Sequence, residues 1–467
     1  MKIEFTLNGQ PRSLEAPASR RVVDLLRADL RLTGTKESCR SGECGACSIL
    51  VDGESRLSCL MVAAQLAGRQ VTTIEGVAAD PTHAGLLAAF VQHGAVQCGY
   101  CSPGMVISAV DLLRRQPQPS RSEIRVALSG NLCRCTGYQK IVDAVAAAAE
   151  VGRALPPGVA PQPGGLVAPE SPARDSSPPS AGDPGEAEVL LPATARELLE
   201  LAGTTGSARL LAGGTDLFVA GRGSSPSPRV WIGLERVPEL KAISAAGDEL
   251  VIGAAATLEQ IVQAAPVRQH LPLLLRAIAV LGSPPIRHMA TLGGNLCTAS
   301  PAADSWPALQ VLGARVELRS LHQRRVLPLA GFITGPGKNE LQSGEILWSV
   351  RVPLPATGMQ GAYFKVGRRQ AMAIAVASLA AAWRQRPDGT IDQVRLAWGS
   401  VGPTVLVFPE IESALEGQRW SLETLKRLAG RVASLVKPID DVRASASYRR
   451  QVAGNLLLKL LEEPQTA

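Results

Sequence analysis

The sequence predicts a multidomain α+β protein, and three observations carry that expectation. Its 467 residues exceed the length at which one hydrophobic core keeps growing. The apolar pattern changes near residue 84 from strand-like alternation to helical periodicity. A Pro-, Gly-, Ser- and Ala-rich stretch over 154–186 then separates two halves, because such a composition buries too little apolar surface to fold. The expected division is 1–83, 84–153, a flexible linker 154–186, 187–354 and 355–467.

Ile3, Phe5 and Leu7 alternate with polar residues, Asn8-Gly9 supplies a hairpin turn, and a second strand runs to about Glu15. A helix fits Val22 to Leu30. Ile49–Val51, the Asp52-Gly53 turn and Arg56–Cys59 make another hairpin. Helical segments follow near Leu86–His93, Gly104–Arg115, Ser122–Leu128 and Ile141–Val151, a set of four that suits a compact bundle. Beyond the linker, a helix at Ala195–Ala202 alternates with strand-like runs at Arg209–Leu211 and Leu250–Ala254, an α/β pattern. After Pro355 a separate C-terminal α/β layer is expected, with strands at Ala371–Trp383 and Gln393–Trp398 and helices at Ser421–Val436 and Ala444–Leu461.

Composition narrows the function classes. The apolar fraction of 46% and charged fraction of 19% are ordinary for globular chains, and no apolar run reaches membrane-spanning length. The N-terminus MKIEFTLNGQ lacks the charged head and apolar run of a signal peptide, so a cytoplasmic protein is expected. The net charge of +7 comes from scattered arginines, and only 3% of residues are aromatic, so it reads as a solvated surface and not as a nucleic-acid footprint. Five histidines without paired spacing leave little room for a hydrolase. Nine cysteines are an odd number, and eight fall before residue 136 in two groups of four, which points to metal before disulfides.

Cys39, Cys44 and Cys47 stand as C-x4-C-x2-C, with Cys59 following alone, the plant-type ferredoxin spacing for a [2Fe-2S] cluster. Four thiolates around two irons concentrate negative charge, and backbone N–H groups aimed at the sulfurs offset it. Gly42 and Gly45 inside the loop supply the positive φ and close approach this requires, while Glu43 reads as a solvated charge. Structural thiols or a zinc knuckle are the plainer alternatives. The second group pairs Cys98-x2-Cys101 with Cys133-x-Cys135. Four thiolates would also suit zinc, but the ferredoxin-like neighbour favours iron. Each pair precedes a helix, whose N-terminal N–H groups favour an anionic cluster. Arg134 adds charge there or is a surface residue.

Two glycine-bearing stretches stand out in the second half, LLAGGTDL at 210–217 and TLGGNL at 291–296. Neither has Walker or G-x-G-x-x-G spacing, and double glycines also serve as plain tight turns. Their bare backbone would let a pyrophosphate approach, with Thr215, Thr291 and Asn295 as side-chain donors. Cys297 reads as a small buried apolar residue.

The stretches ESCRSGECGACSILVDG, QCGYCSPGMV and GNLCRCTGYQKIVDAV resemble signature segments of the xanthine dehydrogenase and aldehyde oxidase family, and the glycine stretches resemble its flavin domain. The resemblance spans nearly the whole chain except the linker. It implies a β-grasp ferredoxin-like domain, a four-helix [2Fe-2S] domain, an FAD-binding domain of the vanillyl alcohol oxidase and CO dehydrogenase flavoprotein type, and a C-terminal domain. By it, Cys39, Cys44, Cys47 and Cys59 ligate one cluster. Cys98, Cys101, Cys133 and Cys135 ligate the one nearer a molybdenum cofactor, whose pterin is reached from Gln97. Leu210, Leu211, Ala212, Gly213, Gly214, Thr215, Asp216 and Leu217, with Thr291, Leu292, Gly293, Gly294 and Asn295, line the FAD; Asp304, Leu347 and Lys365 match further flavin positions. Without the resemblance, Asp304 reads as a helix cap and Lys365 as a surface charge. Leu281 stands where many xanthine dehydrogenases carry Phe against the flavin ring, a departure that bears on NAD against oxygen as acceptor.

No segment resembles the family's molybdenum domains, so the resemblance implies a larger molybdenum-bearing partner chain, an (αβ)2 heterotetramer and NAD as the final acceptor. Electrons would run from the partner through the second cysteine group, then the first, then FAD. Fusion of the cluster and flavin halves resembles bacterial small subunits of the family, whereas CO dehydrogenase splits them. A molybdenum-free iron–sulfur flavoprotein reductase and a zinc-bearing scaffold remain as alternatives.

Overall fold

The structure, a computed structural model, describes residues 1–154, 187–206, 208–220 and 229–462. The expected linker lies outside the described residues apart from Ala154. Two compact units are present. The first comprises Met1–Leu190, Ser207–Ile232 and Gly282–Met289, and the second Leu191–Gly206, Gly233–Leu281 and Ala290–Ala467.

The first unit opens with β1 (Lys2–Leu7) and β2 (Gln10–Glu15). Asn8 and Gly9 both take positive φ, 49° and 77°, which matches the right-handed strand twist in a two-residue turn. Asp52 and Gly53, at 52° and 85°, do the same between β3 (Ser48–Val51) and β4 (Glu54–Leu57). With β5 (Gln70–Thr72) the strands form one sheet in the order β2-β1-β5-β3-β4, in which only β1 and β5 pair in parallel. The expected second hairpin ends earlier than the sequence suggests, because Ser58–Leu60 turns as a 3-10 helix and carries Cys59 out of the strand. Likewise the helix expected from Val22 to Leu30 is helical only to Asp24 before widening into a π turn over Leu25–Asp29.

Helices Ala84–Gln92, Ser102–Arg115, Arg121–Ala127 and Gln139–Ala154 form the expected bundle around Phe90, Met105, Ile107, Ile124, Ile141 and Val145. Burying such side chains contributes about 1.5–3 kcal/mol each. Ser120 and Glu123 start the third helix reciprocally, the hydroxyl accepting from the Glu123 amide at 3.2 Å and the carboxylate from the Ser120 amide at 2.7 Å. The segment Gly282–Met289 packs on the same unit. His288 Nδ1 donates to the Ser55 carbonyl at 2.8 Å, beside Asp111, which accepts from Ser55 Oγ at 2.7 Å. A small sheet of β6 (Glu188–Leu190), β7 (Arg209–Leu211) and β8 (Val230–Gly233) completes the unit in the order β6-β8-β7.

In the second unit, β9 (Ile243–Ala246), β10 (Glu249–Gly253), β11 (Arg315–Arg319) and β12 (Arg324–Pro328) precede a short hairpin, β13 (Ile333–Gly335) and β14 (Lys338–Asn339). With β15 (Ile346–Pro353) they give an antiparallel sheet ordered β12-β11-β15-β10-β9. One face meets the core of Leu250, Ile252, Val316, Leu318 and Val350. On the opposite face Glu317 accepts from Arg324, Arg319 and Arg351, and Glu249 from Arg351, so each buried carboxylate is paired. The C-terminal layer is β16 (Gln360–Val366), β17 (Ala377–Gln385) and β18 (Ile391–Gly399), antiparallel in that order. Trp398 on β18 is fully buried and donates Nε1 to the Ala453 carbonyl at 3.0 Å, tying the sheet to the helix Ala446–Asn455. Two further sequence expectations need correction. The strand expected from Ala371 begins only at Ala377, since Met372 takes φ 54°, and β16 was missed altogether. Among the described residues, no helix is long and apolar enough to cross a membrane.

Candidate functional site

The first cysteine group surrounds the entrance to the β3–β4 hairpin. Cys47 and Cys59 are buried, while Cys39 and Cys44 are half-buried. Arg40, Gly42 and Gly45 take φ of 54°, 76° and 67°, which folds the loop so that the Ser41 and Glu43 amides donate to Cys39 Sγ, each at 3.4 Å. These are the N–H···S contacts expected of a loop that holds anionic sulfur. Within the group Cys39 and Cys44 shift each other's titration, as do Cys47 and Cys59. The Cys44 hydrogen bond, aided by Ser41 and opposed by burial, lowers Cys39 to about 4, and Cys44 rises as the donor.

In the second group Cys135 Sγ lies 3.6 Å from Cys98 Sγ and 4.0 Å from Cys133 Sγ, and Cys133 Sγ lies 2.9 Å from Thr136 Oγ1. Burial first, then the crowding of Cys133, Cys135 and Cys98, pushes Cys101 up to about 12. Cys101 is the N-cap of the helix Ser102–Arg115, and the other pair precedes Gln139–Ala154. Gly137 and Tyr138 take φ of 68° and 67°, returning the Tyr138 hydroxyl to accept from the Cys133 amide at 3.0 Å. Arg134, Cys98 and Cys135 are exposed, as is Gln97. Among the described residues no three His, Cys, Asp or Glu side chains gather as a site for one metal ion. Four cysteines in each group, with the Ser41 and Glu43 amides aimed at Cys39 Sγ, fit the four thiolates and N–H···S contacts that a two-iron cluster takes.

A seam joins the two groups. The Leu132 amide donates to the Cys44 carbonyl at 2.9 Å, and Asn131 Nδ2 donates to the Gly45 carbonyl at 3.1 Å. Gly104 completes it, because a Cβ there would collide with the Gly45 carbonyl. The sequence shows the ligands but not this seam.

Of the glycine segments, Leu210–Leu217 lies in the first unit. Leu210 and Leu211 close β7, Ala212 and Gly213 are half-buried, Gly214 is buried, Thr215 and Asp216 lie toward the surface, and Leu217 starts a short helix. A Cβ at Gly214, φ 72°, would stand 2.5 Å from Phe218 and 3.0 Å from the Leu60 carbonyl. This glycine is thus required by the protein's own packing. In the second unit Thr291 caps the helix Leu292–Cys297 and accepts from the Gly294 amide at 3.1 Å. Gly293 is locked to β10, its amide donating to Ala254 at 2.8 Å and its Cβ position 2.6 Å from the Ala254 methyl. Gly294 is exposed, and only Thr291 Oγ1 lies within reach of a Cβ there. Its backbone is turned outward, unlike that of the buried Gly214 and Gly293. Asn295 Oδ1 accepts from Ser305 Oγ at 2.6 Å.

Asp304 and Lys365 depart from their plainer readings. Asp304 sits at an N-cap but does not cap; its carboxylate accepts from Tyr363 at 2.9 Å and Lys365 Nζ at 2.7 Å. Burial holds the Asp304 carboxyl above its usual range against the pull of Lys365 and Tyr363. Lys365 also donates to the Val280 carbonyl at 3.0 Å, bracing the backbone next to Leu281, which is half-buried against the main core. Leu347 is a core residue. Tyr363 was not singled out from the sequence; its signal is the two-residue spacing to Lys365 on β16, which puts both on one face. Cys297 is half-buried by accessible surface, and desolvation pushes its thiol up to about 12.

Four sequence profiles match in order: a 2Fe-2S iron-sulfur cluster binding domain at 5–72, a [2Fe-2S] binding domain at 73–146, the FAD binding domain in molybdopterin dehydrogenase at 185–355, and the CO dehydrogenase flavoprotein C-terminal domain at 362–464. Aldehyde oxidase 2 of Cavia porcellus is 33% identical across 86% of this chain and 35% of its own length. The nicotinate dehydrogenase small FeS subunit of Eubacterium barkeri is 49% identical over 32% of this chain and 94% of its own. Among solved structures, a chain of carbon monoxide dehydrogenase from Hydrogenophaga pseudoflava is 30% identical with a TM-score of 0.56, over 59% of this chain and 96% of that one. The chain spans between 34% and 39% of the length of the aldehyde oxidases it matches.

Proposed function

The chain belongs to the molybdenum hydroxylase family of aldehyde oxidases, xanthine dehydrogenases and CO dehydrogenases and carries that family's iron–sulfur and flavin domains, and from that premise we propose that it is the electron-transfer subunit of a xanthine dehydrogenase. In this reading Cys39, Cys44, Cys47 and Cys59 hold one [2Fe-2S] cluster, and Cys98, Cys101, Cys133 and Cys135 the other. By the family resemblance, FAD contacts Thr291–Asn295, Leu281, Asp304, Leu347 and Lys365 of the second unit. When bound, the clusters supply one-electron carriers, and FAD supplies a group able to collect electrons singly and release a pair as hydride to NAD.

The observation that supports the reading is the gathering of eight free cysteines in two groups of four, joined by the Leu132–Cys44 hydrogen bond. The chain's own part is to fix these sulfurs, to aim the Ser41 and Glu43 amides at one of them, and to brace the Leu281 backbone through Lys365. The exposed Cys98, Cys135 and Gln97 leave the second group open toward a molybdenum-bearing large subunit in an (αβ)2 assembly. Hydroxylation itself belongs to that partner.

Purification of the tagged chain from its native host tests this. A larger molybdenum-containing chain should accompany it, and xanthine should drive NAD reduction by the complex. Oxidation of an aldehyde or N-heterocycle without xanthine turnover would keep the family and replace the substrate. A chain that purifies without molybdenum yet reduces dyes from NADH would make it a molybdenum-free reductase.

A further inference from the structure

Arg21 is 2% exposed, although arginine is rarely buried without a role. It stands just ahead of the helical turn at Val22, opposite Val62 in an isolated antiparallel bridge. From there its Nη1 donates to the carbonyl of Cys59 at 2.6 Å. The guanidinium also lies over the face of Phe218, 5.2 Å from the ring centroid, and that ring stacks on Trp231 at 5.0 Å. A planar cation is therefore gripped between a cysteine of the first group and an aromatic ring that follows the Gly213-Gly214 segment. Arg40, adjacent to Cys39, pairs with Asp24 and Glu37. Arg134, within the second group, is exposed and so screened by solvent.

We propose that Arg21 sets the reduction potential of the cluster held by Cys39, Cys44, Cys47 and Cys59, raising it above the value the same four thiolates would give alone. The proposal rests on the reading that those cysteines hold a two-iron cluster. Reduction adds one negative charge to a site already rich in thiolate charge. A fixed cation in a poorly screened interior favours the more negative state. Arginine keeps its charge at every accessible pH, and the ring face holds it in register, so the effect is a constant bias and not a switch. The hydrogen bond to the Cys59 carbonyl draws electron density away from that ligand in the same sense.

Redox titration of the full chain with dithionite and mediators, followed by EPR of both clusters, tests this without any turnover assay. Arg21→Gln retains a donor for the Cys59 carbonyl and removes the charge. Its first cluster should become harder to reduce by roughly tenfold in the equilibrium constant, about 59 mV for a one-electron couple, while the second cluster stays unmoved. Arg21→Lys retains the charge and should stay within about threefold of the parent, half that shift in potential. An unshifted Arg21→Gln, or equal shifts in both variants, would overturn the proposal. So would loss of the first cluster's signal in Arg21→Gln while Arg21→Lys keeps it, since that assigns Arg21 to cluster assembly. A parent chain without any iron–sulfur spectrum would instead overturn the cluster reading beneath it.

Discussion

Replacing Lys365 by Met is expected to destabilise the second unit by about 3–5 kcal/mol at neutral pH, the cost of removing one partner from a buried ion pair. The side chains of Lys365 and Asp304 are only 10% and 7% exposed, and they meet at 2.7 Å. The substitution leaves the Asp304 carboxylate with Tyr363 alone and releases the Val280 carbonyl. The deficit should depend on pH with a definite sign. Burial already raises the Asp304 carboxyl in the folded state, and without Lys365 it rises further. A carboxyl whose folded pKa exceeds its unfolded value binds more protons when folded, so stability falls as pH rises through that window and returns as pH falls. Thermal melts at about pH 7.5 and about pH 5 should therefore show a gap from the parent chain that narrows in acid. A gap that is constant or widens in acid would mean that Asp304 is not left as a buried charge.

The second large effect separates two neighbouring glycines. Gly293→Val should cost about 3 kcal/mol, the upper end for overpacking, because a Cβ there meets the Ala254 methyl at 2.6 Å and its carbonyl at 2.7 Å, and backbone cannot give way cheaply. Gly294→Ala meets only Thr291 Oγ1 at 2.9 Å, which a small side-chain rotation relieves, and alanine gains up to about 1 kcal/mol of helix propensity. That variant should fold as well as the parent. If FAD approaches the exposed backbone at Gly294, the added methyl should lower flavin occupancy while leaving the iron–sulfur absorbance unchanged. Full flavin occupancy in Gly294→Ala would remove this loop from the flavin site and leave Asp304 and Lys365 as its basis.

The contrast shows what was legible in the sequence. Ligand spacing is a one-dimensional property, so Cys39, Cys44, Cys47 and Cys59 could be read directly, as could the positive φ of Gly42 and Gly45. The turns at Asn8-Gly9 and Asp52-Gly53 were equally plain, since few residues accept their backbone geometry. Whether a glycine faces the protein or an open surface depends on what folds against it. That Gly214 and Gly293 are required by packing was therefore not legible from their spacing. Lys365 and Asp304 misled: a charged residue in a polar stretch gives no sign of a buried partner 61 residues away. β16 was missed because Gln360–Val366 mixes glycine and polar residues with its apolar positions, and only its pairing with β17 makes it a strand. Arg21 gave no signal at all, being one of several arginines near the N-terminus until Phe218 and Cys59 close around it.

Iron, acid-labile sulfide and flavin content of the purified full chain test the central claim most directly. The account predicts about four irons and about four sulfides per chain, with about one FAD and strong visible absorbance. A chain holding one or two zinc ions, colourless and without flavin, would contradict it.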